Sequence, residues 1–260
     1  MDKLSKVIAL ANQKGGVGKT TTCVNLAASL ALQKKILVID MDPQGNATMA
    51  SGVDKFALKS SIYDLLVKNQ DINEILITGT ECNYDLLPAN SDLTAASVQL
   101  MEFFGRELRL KKALDKIKDN YDFVFIDCPP ALNLLAVNAL CAADSVLVPM
   151  QCEYFALEGL TDLIETIEQI KGSINPNLTI EGVLRTMYDS RARLAVSVST
   201  ELKKHFEDKV YRTPIPRNVR LAESPSFGKP ALYYDKNSIG AKAYLALAGE
   251  ILLKYEGKQQ

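Results

Sequence analysis

Short apolar runs alternate along this chain with segments in which apolar residues recur every three or four positions. The runs predict buried strands, because a strand covered on both faces is apolar throughout. The recurring positions predict amphipathic helices. The predicted strands cover residues 7–11, 35–40, 84–88, 121–127, 145–149, 179–187 and 210–213. The predicted helices begin with one that starts at residue 19 and continue with 61–67, 93–104, 107–118, 155–170, 194–206 and 238–255.

The order of these elements predicts the fold class. Strand and helix alternate throughout, which is typical of right-handed βαβ crossovers. We therefore expect an α/β fold with a mostly parallel, twisted sheet and helices on both faces. At 260 residues the chain suits one large domain, and we expect a single domain over residues 1–260.

Composition narrows the class of protein. With 47% hydrophobic and 23% charged residues, the chain has the composition of an ordinary soluble globular protein. Five scattered cysteines without a Cys-x-x-Cys pair favour reduced thiols in the cytoplasm. No apolar run approaches the roughly 20 residues of a membrane span. The one histidine, His205, lies in a charged segment, which argues against a His-dependent mechanism.

The first predicted strand ends in a glycine-rich turn that leads into a helix. Its glycines have no Cβ, so the backbone can adopt positive φ and direct N–H groups toward a polyphosphate. The N-terminus of the following helix also favours anions. We therefore predict the phosphate-binding loop of a P-loop NTPase, in which Lys19 reaches the β- and γ-phosphates of ATP and Thr20 offers a hydroxyl to Mg²⁺. The predicted loop residues are Gly15, Gly16, Val17, Gly18, Lys19, Thr20 and Thr21.

Three carboxylates follow predicted strands. Asp40 and Asp42 come at the end of the second strand, and Asp127 closes the apolar run 121–127. Ligands of α/β sheets bind at the carboxyl ends of the strands, and an acid placed there holds Mg²⁺ directly or through water. Asp, Pro, Gly and Asn also form turns without any function, but the position beside the first strand favours a ligand-binding role.

Charge is distributed unevenly along the chain. The net charge is −1 and the pI is about 6.0, which does not indicate a DNA-binding protein. Residues 185–242, however, contain twelve Lys and Arg against six Asp and Glu, a local charge of +6, whereas the remainder carries −7. A basic segment of this kind is a candidate nucleic-acid surface, although most of its cations are expected to be solvated surface residues.

Taken together, the motifs resemble those of the ParA/Soj branch of the MinD/ParA ATPases, the chromosome and plasmid partition proteins. The loop departs from the usual P-loop because a lysine, Lys14, precedes the glycines, as in the deviant Walker A motif of that class. The resemblance extends over nearly the whole chain. Its other marks are the segments 40–48, 126–130, 151–159 and 216–226.

The resemblance implies an Mg²⁺-dependent ATPase that forms a homodimer in the ATP state. Lys14 would reach across the dimer to the partner's nucleotide. Asp42 would position the attacking water, Asp40 would lie on the Mg²⁺ side of the same loop, and Asp127 would assist Thr20 at the metal.

The resemblance also indicates a base pocket and a DNA-binding face. Pro216 and Asn218 would lie at the adenine. Arg191 and Arg220 fall where Soj-like proteins carry DNA-contacting arginines, and Arg193 could add a phosphate contact. The implied protein binds double-stranded DNA non-specifically, is stimulated by a ParB/Spo0J-like partner, and is cytoplasmic and nucleoid-associated. The N-terminal helix-turn-helix domain of longer family members is not expected here.

Three alternatives remain at this stage. A MinD-like ATPase that positions the division site would need a basic amphipathic membrane helix at its C-terminus, whereas residues 238–255 predict a helix packed on the sheet. An iron–sulfur member of the superfamily would need paired cysteines in glycine-rich loops, and Cys82 and Cys128 are not so placed. A non-enzymatic binding module would require that hydrolysis has been lost, although both lysines and the acids are present.

Overall fold

One six-stranded sheet runs through residues 5–256, the part of the chain that the computed structural model describes. Its strands are β1 (Lys6–Leu10), β2 (Ile36–Asp40), β3 (Asp85–Leu87), β4 (Phe123–Asp127), β5 (Ser145–Gln151) and β6 (Thr179–Thr186). The α-helices of the described range are α1 (Lys19–Leu30), α2 (Asn46–Ala50), α3 (Ile62–Lys68), α4 (Ile72–Ile75), α5 (Leu93–Gln99), α6 (Arg109–Leu114), α7 (Leu134–Ala142), α8 (Ala156–Ser173), α9 (Arg193–Phe206), α10 (Val219–Glu223), α11 (Ala231–Tyr234) and α12 (Ile239–Glu256).

All neighbouring strands of the sheet are parallel, in the order β3-β2-β4-β1-β5-β6. This order places β4 between β1 and β2, so the three carboxyl ends lie side by side. Asp127 at the end of β4 is in register with Leu10 of β1 and with Asp40 of β2. The predicted α/β fold with a parallel sheet is confirmed.

Helices cover both faces of the sheet because successive strand residues point to opposite sides. In β1, Ile8 and Leu10 belong to one apolar core, which also contains residues of α1 and α12. Val7 and Ala9 belong to a second core on the other face, with residues of α7 and α8. Both faces are therefore buried, which explains why the strand sequences are continuously apolar.

The last helix of the described range packs against the sheet layer, as its sequence predicts. Tyr244, Leu247 and Ile251 of α12 are buried, and the Tyr244 hydroxyl lies 3.0 Å from the Thr22 hydroxyl of α1. Within residues 5–256, every helix is too short or too polar to cross a lipid bilayer.

The predicted strand 210–213 is wrong. Val210 makes only an isolated bridge with Val183 of β6. The N–H groups of Arg212 and Thr213 donate to the Glu250 carboxylate of α12, at 2.7 and 3.1 Å, so they are not available to a strand ladder. A side chain that is distant in sequence therefore replaces the backbone partner that a strand would need.

Other differences concern helix limits. The helices predicted over 93–104 and 107–118 are shorter, since α5 ends at Gln99 and α6 covers only Arg109–Leu114. Between them, Gly105 adopts a left-handed conformation with φ 63°, which interrupts helical geometry. Helix α7 is not predicted from the sequence, because its nearly continuous apolar residues leave no polar face to reveal a helical period.

A buried carboxylate on β6 holds the end of α12. Glu181 is 5% exposed and accepts hydrogen bonds from Lys254 at 2.6 Å, Tyr255 at 2.6 Å, Ser145 at 2.8 Å and Tyr211 at 3.1 Å. Burial raises the pKa of Glu181, but the hydrogen bonds from Lys254 and Tyr255 outweigh burial. The pKa of Glu181 therefore lies below its usual value.

We expect Glu181→Gln to lower the free energy of unfolding at pH 7 by about 1–3 kcal/mol, because an amide NH₂ would face these donors. The carboxylate's contribution is complete above the unfolded-state pKa, about 4.3, and is lost as pH falls through the lower folded-state pKa. The difference between the two proteins should therefore shrink on acidification. Urea denaturation at neutral and acidic pH measures it. The control is Glu165→Gln on the exposed side of α8. Equal unfolding free energies for wild type and Glu181→Gln would contradict the stabilising role of the Glu181 carboxylate.

Candidate functional site

The glycine-rich loop connects β1 to α1 at the carboxyl edge of the sheet. Gly16 and Gly18 have positive φ, 74° and 89°, and Gly18 is the residue that immediately precedes α1. No side chain of the described residues caps this helix, so its first N–H groups are directed at the loop. The loop therefore has the backbone conformation that an anion-binding site requires.

Neighbouring strands hold the loop in place. The Asn12 side chain donates to the carbonyl of Pro149 at 2.9 Å and accepts from the Lys14 N–H at 3.0 Å. The Thr186 hydroxyl of β6 donates to the carbonyl of Val17 at 2.7 Å. Asn12 and Thr186 were not among the predicted site residues, since nothing local in the sequence shows that β5 and β6 border the loop.

The two lysines of the loop have different environments. Lys19 is 7% exposed, and its ammonium donates to the carbonyl of Lys14 at 3.3 Å. Burial lowers the pKa of Lys19, and the Asp127 carboxylate partly opposes this effect. Lys14 has a side chain that is 50% exposed and forms an ion pair with Glu153, just after β5. Lys19 thus belongs to the interior of its own loop, whereas Lys14 lies at the surface.

The Asp127 carboxylate lies beneath the loop and is completely buried. One oxygen, Oδ2, accepts a hydrogen bond from the Thr20 hydroxyl at 2.6 Å. The other, Oδ1, is buried and accepts no hydrogen bond from any residue in the range 5–256. Burial raises the pKa of Asp127, and the neighbouring Asp40 raises it further. A buried carboxylate oxygen without a donor is an acceptor for a cation.

Asp40 is equally buried but fully engaged with α2. Its Oδ2 accepts from the N–H and the hydroxyl of Thr48, at 2.8 and 2.7 Å, and its Oδ1 accepts from the N–H of Asp42 at 3.1 Å. Burial raises the pKa of Asp40 to about 6 against these hydrogen bonds. Thr48 lies within the segment 40–48 that carries the family resemblance, but nothing local in the sequence predicts its contact with Asp40.

Asp42 occupies the turn between β2 and α2 and is half-buried. Its side chain accepts from the N–H of Gln44 at 2.9 Å. Asp40, Asp42 and Asp127 do not form a cluster of ligands around one point, and no group of three or more His, Cys, Asp or Glu in residues 5–256 could hold a metal ion. A Mg²⁺ ion at this edge would therefore rely on few protein ligands, together with water and phosphate oxygens, as Mg²⁺ commonly does.

A pocket adjoins the loop on the side of α12. Gly18 and Thr21 form the part nearest the loop, and the predicted Pro216 and Asn218 line the opposite wall. The Asn218 side-chain oxygen is buried and has no hydrogen-bond donor among the described residues. The pocket also contains residues that the sequence analysis missed, namely Thr186, Met187, Ile215, Leu221 and Tyr244.

The predicted DNA-binding arginines lie on the surface, and two of them are already paired with acids of this chain. Arg191, with a side chain 89% exposed, forms an ion pair with Asp189 at 3.0 Å. Arg220, 49% exposed, pairs with Glu223 at 2.9 Å and with Asp235 at 3.4 Å.

A backbone bridge brings the two arginine segments together. Tyr188 and Pro216 are bridge partners, and these residues shortly precede Arg191 and Arg220 in the chain. Arg193 is the exposed first residue of α9. The segments that carry the three arginines therefore lie side by side beyond the end of β6.

The local charge of +6 overstates the positive charge that this surface presents to solvent. Arg185, one of the twelve cations, is 4% exposed. Its guanidinium donates to the Ser199 hydroxyl and to the carbonyls of Tyr211 and Arg212. Arg185 therefore stabilises the junction of β6 and α9 and does not face solvent.

All five cysteines lie in the described range, and each is buried and unbridged. Burial raises the pKa of Cys128, and the Asp127 carboxylate adds to this effect. The thiol next to the buried acid is therefore held in its neutral form, which is the less reactive one.

Comparisons with known proteins identify the family. A family model described as an AAA domain matches residues 5–180. The sporulation initiation inhibitor protein Soj of Bacillus subtilis is 52% identical over 249 residues, covering 95% of this chain and 98% of Soj. The chromosome partitioning protein ParA of Caulobacter vibrioides is 47% identical over 257 residues, covering 98% of this chain and 96% of ParA.

A solved structure shares the fold of this chain. The crystal structure of cobyrinic acid a,c-diamide synthase from Mycobacterium smegmatis, with bound ADP and magnesium, is 37% identical and has a TM-score of 0.84. The similarity covers 97% of this chain and 96% of that protein. With its P-loop at the β1–α1 junction and its close relatives over nearly the full length, this chain belongs to the ParA/Soj family of chromosome-partitioning ATPases.

Proposed function

We propose that this protein is an Mg²⁺-dependent ATPase that dimerises around ATP, binds DNA non-specifically in that state and acts in chromosome or plasmid partitioning. The observation that carries the proposal is the separation of the two loop lysines. Lys19 is buried in its own phosphate loop, whereas Lys14 is exposed and engages Glu153. A lysine so placed is available to the nucleotide of a second subunit.

The loop amides from Gly15 to Thr21 would hold the phosphates of ATP, and the Lys19 ammonium would neutralise their charge. The adenine would occupy the adjoining pocket against Pro216. There, the unpaired oxygen of Asn218 could accept a hydrogen bond from the exocyclic amine. The M. smegmatis relative binds ADP and magnesium, which supports the same ligands here.

Thr20 and Asp127 would hold Mg²⁺, which neutralises phosphate charge when bound. The fit rests on the buried Oδ1 of Asp127, which lacks a donor among residues 5–256, beside the Thr20 hydroxyl. The proposed role of Asp40 is less direct, because Thr48 occupies its Oδ2. Asp40 would orient the Asp42 loop on the Mg²⁺ side through its bond to the Asp42 N–H.

Dimerisation would require Lys14 to exchange Glu153 for the partner's γ-phosphate. The Lys14–Glu153 pair is about half exposed on both sides, and such pairs contribute only about 0–1 kcal/mol. The exchange therefore costs little. A charge delivered in this way acts as an arginine finger does, for which about 10³-fold or more in rate is known from related chemistry. Asp42 would orient the attacking water, so hydrolysis is coupled to dimer formation.

DNA binding would use Arg191, Arg220 and Arg193. One subunit offers only these three cations to the phosphates, whereas a dimer offers twice as many. A ParB/Spo0J-like protein would stimulate hydrolysis and release the dimer from the nucleoid in the cytoplasm. We further propose that residues 1–260 act as one ATPase domain. The membrane alternative has less support, because the described part of α12 packs against α1 through Tyr244.

Asp127→Asn should stabilise the nucleotide-free protein. Because the folded-state pKa of Asp127 is raised, its contribution to stability is present below the unfolded-state pKa, about 3.9, and is lost as pH rises through the folded-state pKa. At pH 8 the variant should therefore have a higher melting temperature than wild type, by about 2–4 °C for each kcal/mol of added unfolding free energy. Mg²⁺-ATP should raise the melting temperature of the variant less than that of wild type. Thermal unfolding with and without Mg²⁺-ATP tests this, with the exposed Asp119→Asn as control. If Mg²⁺-ATP raises the melting temperature of Asp127→Asn as much as that of wild type, Asp127 is not part of the metal site.

Asp42→Ala should bind ATP and DNA but hydrolyse ATP about 10²-fold more slowly or worse, because a positioning carboxylate contributes about 10²–10⁴-fold. Steady-state phosphate release with Mg²⁺-ATP measures this. Asp54→Ala is a matched control, because the Asp54 side chain accepts from the N–H two residues later, at 3.0 Å, just as Asp42 does at 2.9 Å. Normal turnover by Asp42→Ala would overturn the assignment.

Wild type should retain random-sequence duplex DNA with ATP and Mg²⁺ but not with ADP. If the dimer neutralises about four phosphates, the logarithm of affinity should fall with the logarithm of salt at a slope of about −3.6. Arg191→Ala/Arg220→Ala should abolish retention. Lys68→Ala/Lys116→Ala, which removes two other ion-paired cations, should not. Absence of wild-type binding in every nucleotide state, despite ATP-dependent dimers, would favour the membrane alternative.

A further inference from the structure

Two glycines bring the segment that follows α2 into direct contact with the segment that carries Arg220. Gly52 follows α2, and Gly228 follows the 3₁₀ turn Ser224–Phe227. Both have positive φ, 80° and 63°. A Cβ on Gly228 would lie 2.9 Å from the Cα of Gly52, and a Cβ on Gly52 would lie 3.0 Å from the carbonyl oxygen of Gly228. A side chain on Gly228 would therefore force one of the two backbones to shift, although Gly52 itself is exposed to solvent.

The first side of this contact is rigidly connected to the candidate catalytic loop. Asp40 binds Thr48 of α2 through both the N–H and the hydroxyl, and the Thr48 hydroxyl also accepts from the N–H of Ala89 at 2.9 Å. The N–H of Gly52 donates to the carbonyl of Met49 at 3.0 Å. Consecutive hydrogen bonds therefore join Asp40, α2 and Gly52.

The second side is connected to Arg220 through consecutive contacts. Phe227, next to Gly228, stacks on Tyr234 with ring centroids 4.8 Å apart. The Tyr234 hydroxyl donates to Glu223 at 3.3 Å, and the same Glu223 oxygen accepts from Arg220 at 2.9 Å. Arg220 thus belongs to a small unit, residues 218–235, whose other end lines the base pocket through Asn218 and Leu221.

We infer that the Gly52–Gly228 contact positions Arg220 for DNA according to the state of the Asp42 loop. This inference rests on the proposed function and adds a structural route by which the nucleotide state would control DNA binding. Dimerisation alone would double the arginines, whereas this contact would also set the placement of Arg220 within each subunit. Close-packed backbone contacts transmit displacement because they have no empty space to absorb it.

The test compares the affinity of random-sequence duplex DNA, by fluorescence anisotropy, with a non-hydrolysable ATP analogue and with ADP. Gly228→Ala should weaken binding in the ATP-analogue state about tenfold and bring the ratio of the two affinities toward one. ATP-dependent dimerisation, measured by sedimentation, should persist. Gly79→Ala is the matched control, because Gly79 has φ 66° but a Cβ added there would meet no atom of the described residues within 4 Å.

A double-mutant cycle tests whether the effect of Gly228→Ala acts through Arg220. Arg220→Ala should cause no further loss in the Gly228→Ala background, because the arginine is already misplaced there, whereas Arg191→Ala should remain additive. If Gly228→Ala does not fold, Phe227→Ala serves instead, since Phe227 is 60% exposed and its removal breaks only the stacking step. It should lower the affinity ratio in the same way.

The outcomes separate this inference from the proposed function. Failure of wild type to bind DNA with ATP would contradict the proposed function itself. Nucleotide-dependent binding by wild type, together with an unchanged affinity ratio in Gly228→Ala or Phe227→Ala, would overturn only the positioning contact. Loss of the dimer in either variant would also overturn it, because the effect would then arise from assembly.

Discussion

The pairing of β4 with both β1 and β2 is the constraint on which the candidate site depends. It places the phosphate loop, Asp40 and Asp127 at one edge of the sheet, although they come from distant parts of the chain. The same pairing buries two carboxylates side by side, and burial raises the pKa of both. A cation bound between them would relieve the repulsion of the two carboxylates, which supports the proposed Mg²⁺ site.

The two lysines of the phosphate loop are held differently. Lys19 starts α1 and is buried, so its ammonium stays within the loop. Lys14 precedes the glycines, where the chain reaches the surface and meets Glu153. An exposed ion pair of this kind contributes little to stability, so it would oppose only weakly the proposed transfer of Lys14 to a partner's nucleotide.

The surface proposed for DNA adjoins the nucleotide site, with little intervening structure. Arg191 and Arg220 follow segments that bridge at Tyr188 and Pro216, and the second of these also lines the base pocket. Each of these two arginines is paired with an acid of its own chain. In the proposed DNA complex, phosphates would compete with these internal carboxylates, so a single subunit would bind weakly and the number of arginines presented together would set the affinity.

Local sequence determined the strands of the central sheet, the phosphate loop, and the acids at the ends of β2 and β4. Apolar runs, glycine conformations and strand ends act within a few residues, so they can be read without knowledge of the fold. Gly16 and Gly18 have the positive φ that their residue type permits, and Asp127 ends β4 as its apolar run indicates. Family resemblance added the residue roles that no local pattern specifies.

Only the tertiary structure decided which side chains meet. Thr48 binds Asp40 and Thr186 holds the phosphate loop, yet neither stands out in the sequence. Arg185 is a surface cation by residue type, but its burial between β6 and α9 removes it from the basic face. The segment 210–213 does not form a strand, because the Glu250 carboxylate of α12 accepts the hydrogen bonds of two of its N–H groups. In each case the deciding partner lies elsewhere along the chain, and its position exists only after the sheet has formed.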